Sequence, residues 1–212
     1  MLNIDVDAQT PTTGAAQEAL PVVPDVLVMD TCVLISSVLR PLLLRMAHDG
    51  WFAPVWSPII GDEWRRTAAR LWQTPMDDIT LQWDAMQADF PHADIGDVSA
   101  YKAGLQRSDR KDWHVIAAGR AAVDRYPDST VAIVTRNIKD FHRSELRKLG
   151  LYLFDPDQLM SRFWSHDAEH VRRQLVDLSD RVLVPGRGSE ELESLLKRER
   201  LFRLNRLFQV DA

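Results

Sequence analysis

The sequence predicts an α/β fold with a central parallel sheet and a helical extension at its C-terminal end. Three observations predict it. Short apolar runs recur along the chain at Val26–Met29, Val131–Val134 and Leu151–Phe154, each of strand length and bounded by turn residues. Helix-start signals fall between them, at Ser57-Pro58, Thr74-Pro75 and Ser108-Asp109. Strands that alternate with helices join as parallel neighbours covered on both faces.

The elements follow in order. Residues 1–24, rich in Pro, Thr, Ala and Gln, read as a flexible tail. Val26–Met29 is a strand buried on both faces. After Asp30, the residues Val33, Leu34, Ile35, Val38 and Leu39 suit a helix, and Pro41 opens a second helical piece that Gly50 stops. Trp51–Trp56 reads as a short strand. Ser57 caps the next helix, with Pro58 at its first position. Thr74-Pro75 repeats that signal, with Asp77 and Asp78 in the following turn. Ser108-Asp109 leads into a helix over 109–124. Val131–Thr135 is the next strand, Asn137–Phe141 leads to a short helix ended by Gly150, and Leu151–Phe154 is the last strand. The chain then reads as helical to Val184. A linker near 185–189 precedes one amphipathic helix through Leu192, Leu195, Leu196, Phe202, Leu207 and Phe208. The division is a tail over 1–24, a globular domain over 25–165 and a helical extension over 166–212.

Composition removes several function classes. Apolar residues make up 45% and charged residues 27% of the 212, which excludes wholesale disorder. No apolar run approaches the ~18 residues of a membrane span. Asp5 and Asp7 stand where a signal peptide would be basic, and the single cysteine, Cys32, excludes a disulfide framework. A cytoplasmic location is the simplest expectation. The net charge of −5 argues against a generic nucleic-acid binder, but its distribution is uneven. Residues 1–100 hold 5 basic and 14 acidic side chains, whereas 101–150 hold 11 and 6. An acidic half beside a basic stretch can hold cations with phosphates nearby.

Three acids stand where an open parallel sheet places its ligands, beyond the carboxyl ends of strands. Asp30 follows the first strand. Asp112 lies in the first turn of the helix over 109–124, with Asp109 three residues earlier. Asp140 follows the strand ending at Thr135, with Asn137 between, and Glu63 is a fourth acid on the helix that Ser57-Pro58 starts. Singly, each suits a helix start, a turn or a solvated face. Together they need a cation, a proton or a basic group to offset their repulsion, and oxygen-only donors favour Mg²⁺ or Mn²⁺ over zinc.

At these residues the chain resembles the PIN domain, most closely the VapC-type ribonuclease toxins of bacterial toxin–antitoxin modules. The matching segments are Val26–Ile35 around Asp30, Ser57–Trp64 around Glu63, Asp109–Ala118 around Asp112, and Val134–Phe141 around Asn137 and Asp140. They follow the family's order over about residues 25–155. The resemblance implies a three-layer α/β/α nuclease in which Asp30 and Asp112 are the main metal ligands. Asp140 and Glu63 would complete the set, Asn137 would orient one of them, and Asp109 would be an accessory acid. The implied cofactor is one or two Mg²⁺ or Mn²⁺ ions, and a pair ~3.5–4 Å apart can activate water and clamp phosphate oxygens. The implied substrate is RNA, cleaved to a 5′-phosphate and a 3′-hydroxyl. Two departures stand out: Trp113 occupies a position that is Arg in many members, and the chain continues well past residue 165.

Arg65, Arg66, Arg136, Lys139 and Arg143 are candidate phosphate contacts by their closeness to the acids, and Thr31 and Thr135 could position a phosphate or water. His114 is expected to face away from Asp112 on its helix, Cys32 to be inert core, and the tryptophans at 51, 56, 64 and 72 to pack the core or a dimer face. The implied partners are an RNA substrate and a cognate antitoxin, with a homodimer left open. The C-terminal segment could bind that partner, pack on a second subunit or cover its own core. Two rivals are a PIN-type RNA-processing or flap nuclease outside any toxin module, and a non-catalytic PIN scaffold. A haloacid-dehalogenase-type phosphatase would need an acid at the position of Cys32.

Overall fold

The computed structural model describes residues 23–181 and 192–210. Most of the predicted tail, 1–22, and the predicted linker near 185–189 lie outside the described residues. Four strands, β1 (Val26–Met29), β2 (Ala53–Val55), β3 (Val131–Val134) and β4 (Leu151–Phe154), form one sheet in the order β2-β1-β3-β4. All three pairings are parallel. Every residue of β1 and β3 is buried, as central strands with elements on both faces require.

The register puts Met29 opposite Val134 and Val134 opposite Phe154. Asp30, Thr135 and Asp155 therefore leave the sheet at one edge. The chain winds outward from β1 in both directions, toward β2 and toward β3. The crevice beyond the carboxyl ends of β1 and β3 is thus a topological switch point, where such sheets take their ligands.

Helices flank the sheet: α1 (Thr31–Leu34), α2 (Leu39–His48), α3 (Pro58–Trp72), α4 (Met76–Asp89), α5 (Trp113–Arg125), α6 (Arg143–Lys148), α7 (Pro156–His166) and α8 (Ala168–Arg181). Two more, α9 (Leu192–Arg198) and α10 (Phe202–Val210), lie toward the C-terminus. Ser57 caps α3 as its sequence predicts, accepting from the Ile60 amide at 3.4 Å. Gly50 and Gly150 end their helices at positive φ of 80° and 71°, where only glycine is unstrained.

Several boundaries differ from the sequence expectation: the strand expected over Trp51–Trp56 is only Ala53–Val55, and the helical stretch expected after Phe154 is interrupted at Asp167, between α7 and α8. The helix assigned to Pro41 begins at Leu39, because the first-turn amides need no intrahelical partner and tolerate proline slightly later. The helix predicted over 109–124 opens as a 3₁₀ turn, Arg110–Asp112, before α5. The single C-terminal helix is two, broken where Arg200 adopts a φ of 60°.

Packing is continuous across the chain. Leu175, Leu195, Leu196, Leu201 and Leu204 belong to the same core as the strands, so the C-terminal extension covers the chain's own core. Trp56 and Trp64 are buried and Trp51 and Trp72 are partly so, in line with their reading as core. Helix α3 approaches α4 closely at Gly61, where a Cβ would sit 2.5 Å from the Trp83 ring. Among the described residues no helix is long and apolar enough to cross a membrane.

Candidate active site

Asp30 precedes α1 but does not cap it with its side chain. Its carboxylate, 5% exposed, turns instead toward β3, where Thr135 Oγ1 donates to Oδ2 at 2.6 Å. Cys32 Sγ donates to the same oxygen at 3.0 Å and accepts from the Arg136 amide at 3.1 Å. The thiol is therefore part of the site, contrary to its expected role as inert core. Burial, reinforced by the Asp30 charge, pushes it up to about 12, so it stays a neutral donor. Thr135 is fully buried and also accepts from the Asn137 amide at 3.0 Å. One hydroxyl thus ties the end of β3, the loop behind it and Asp30 together.

A second strap brings the Asp112 segment to the same edge. The Asp109 amide donates to the Asp140 carbonyl at 2.8 Å, and the His142 amide donates to Ser108 Oγ at 2.9 Å. Glu145 anchors this loop. It accepts from the amides of Gln106 (2.8 Å), Arg107 (3.1 Å) and Ser108 (3.0 Å) and from the Ser108 hydroxyl (2.7 Å). Burial raises its carboxyl, but those four donors outweigh burial and hold it at about 2. The depressed folded-state value adds stability above the ordinary 4.5, lost as pH falls toward 2. Glu145→Gln should cost about 1.5–3 kcal/mol at neutral pH. Denaturant unfolding across pH checks this: the gap from wild type should close in acid, and an unchanged gap there would refute the anchor.

The acids then divide in their local roles. Asp109 accepts from the Lys111 amide at 3.0 Å, so it caps a turn. Asp112 stands at the start of α5 without capping it. Its carboxyl is raised to about 6, first by burial and then by the charges of Asp30 and Asp140, while His114 opposes and Asp109 adds a smaller push. Asp140 accepts from the Asn137 side chain. Asp30 and Asp140, from two other segments of the chain, therefore both bear on Asp112.

Glu63 sits slightly apart. Its Oε2 lies 3.0 Å from His114 Nε2. That contact is the main cause of its lowered carboxyl; burial opposes it, and Thr31 and Arg66 assist. His114 therefore turns toward an acid on α3, a partner outside the reading of its own helix. Its other nitrogen, Nδ1, lies 2.7 Å from the Lys111 carbonyl, while Nε2 is within ion-pair distance of Glu63 without the geometry of a hydrogen bond. The Thr31 hydroxyl is close enough to affect Glu63 but is buried without a hydrogen bond of good geometry.

The basic candidates scatter. Arg65 pairs with Asp62 and lies over the Trp83 ring at 5.8 Å, which directs it at α4. Arg66 is exposed on the Glu63 side, and Lys139 and Arg143 are exposed on either side of Asp140. Arg136 pairs with Glu199, whose Oε2 also accepts from Ser36 Oγ at 2.8 Å.

Among the described residues no three His, Cys, Asp or Glu side chains form a ready-made metal-holding group. Asp30 and Asp140 bear on Asp112, Glu63 is tied to His114, and the acids do not share one coordination sphere. Their chemistry nevertheless fits a hard divalent cation, with oxygen donors, a like-charged Asp112 and the orphaned Thr31 hydroxyl beside them. Comparisons with protein-family models, curated proteins and solved structures find no match to this chain.

Proposed function

We propose that this chain is a divalent-metal-dependent endoribonuclease with the three-layer α/β/α architecture of a PIN domain, acting in the cytoplasm as the toxin of a toxin–antitoxin module. The observation that carries the reading is Asp112, raised to about 6 by burial and by Asp30 and Asp140 at a topological switch point. Strongly shifted carboxyls at such a crevice mark sites where charge is handled during reaction.

Asp30 and Asp112 would be the main holders of Mg²⁺ or Mn²⁺, with Asp140 and Glu63 reaching it directly or through water. Such an ion, held there, would supply an acidified water and positive charge for the phosphate oxygens. The remaining work falls to the chain's own groups. Thr135 and Cys32 fix the rotation of Asp30 through Oδ2, and Asn137 does the same for Asp140. His114 holds Glu63. Lys139, Arg143 and Arg66 contact phosphates flanking the scissile bond, and hydrolysis leaves a 5′-phosphate and a 3′-hydroxyl. An antitoxin segment entering the same rim would displace RNA.

The test uses the full chain and total cellular RNA. Excess EDTA should silence cleavage, and added Mn²⁺ or Mg²⁺ should restore it. Undiminished cutting in chelator would overturn the metal-dependent reading.

A further inference from the structure

A cleft of about 720 Å³ opens beside the acidic rim, at the carboxyl ends of β3 and β4. Arg136, Arg198, Arg200, Arg203 and Arg206 line it together with Phe202. Three acids also border it, and each is engaged. Asp155 accepts from the Gln158 amide at 2.8 Å to cap α7. Asp157 accepts from the amides of Arg203 (2.9 Å) and Leu204 (3.1 Å) at the start of α10. Glu199 is tied to Ser36, Arg136 and Arg198. Arg200, Arg203 and Arg206 are exposed and have no ion-pair partner among the described residues. In their midst the Phe202 ring is 55% exposed.

We propose that this cleft is a subsite for single-stranded RNA, in which the arginines bind consecutive phosphates and Phe202 stacks on a base. Five guanidinium groups against three carboxylates leave the groove net positive, which suits the regular negative charge of a phosphodiester backbone. An exposed aromatic ring among them supplies the stacking platform that single-strand binders use, since every base presents a π face. An acidic peptide would satisfy the arginines, but RNA offers the ring a stacking face at every unit. Arg136 links the cleft to the rim, for it follows Thr135, the donor to Asp30. A strand lying in the cleft therefore runs to the acids. The inference rests on RNA being the substrate, and it extends the chain's contacts beyond the scissile phosphate.

The test is equilibrium binding of a fluorescein-labelled oligouridine to the full chain in EDTA, where binding is read without turnover. The Arg203→Glu/Arg206→Glu variant should bind more than about 10-fold more weakly, with a salt slope lower by about two. Phe202→Ala should weaken binding by about 5-fold or more. The same double reversal at Arg70 and Lys102, away from the cleft, should change affinity by less than about 3-fold. Wild-type affinity in both cleft variants, or no measurable binding by the wild type, would overturn the proposal. Displacement of RNA from the cleft by a lower concentration of polyglutamate would overturn it in favour of a protein ligand. The two readings fail separately. RNA bound through the arginines but never cut under any metal would sink the nuclease and leave the cleft. Cutting indifferent to the arginines would do the reverse.

Discussion

An Asp30→Asn variant is expected to lose RNA cleavage by more than about 100-fold, beyond the usual cost of removing a group that merely orients a metal ligand. Its unfolding midpoint should stay near that of the wild type. Asparagine keeps the size of the side chain and an oxygen that accepts from Thr135 and Cys32, the two contacts that orient the carboxylate. What it removes is the charge that bears on Asp112. Single-turnover cleavage with Mn²⁺ present, beside a denaturant melt, separates chemistry from folding. Normal cutting by this variant would remove Asp30 from the proposed metal-binding set.

The largest loss of stability is expected at Trp64. It is 1% exposed, its indole donates to the Leu34 carbonyl at 3.0 Å, and it packs against Trp72 and Trp83 with ring centroids 5.8 and 5.6 Å away. The Arg40 guanidinium lies over its face at 5.2 Å. Trp64→Ala should cost about 3–5 kcal/mol, from lost burial and the cavity left behind. Trp64→Phe keeps most of the packing but drops the donor to Leu34, and should cost nearer 1 kcal/mol. Chemical denaturation of the pair checks both values, and equal losses would show that packing is not the main contribution. The effect bears on the site because Trp64 seats the helix that carries Glu63 against the segment after Asp30.

Features set by local pattern could be read from sequence. The runs Val26–Met29 and Val131–Val134 are central strands, and an acid or hydroxyl just beyond such a strand leaves at the sheet edge. Asp30 and Asp140 are legible in that way. What escaped depends on distant partners. Cys32 looked like core because its neighbours in the chain are apolar, but its second partner, Thr135, lies 103 residues away. His114 was set aside by helix geometry relative to Asp112. Asp112 belongs to the preceding 3₁₀ turn, and the acid that His114 meets comes from α3. The arginine cleft was invisible as well, since the break at Arg200 turns an apparently continuous helix into two and gathers its arginines on one side.

The clasp of Glu199 on Ser36 and Arg136 gives the molecule an order of completion. Arg136 and Glu199 are 63 residues apart, and a ribosome adding about 5–20 residues per second needs several seconds to cover that stretch. All four acids are synthesised, and both central strands can pair, before the clasp exists. A nascent chain therefore holds its charged rim against one unfinished wall, and the loop after β3 acquires its final tether last.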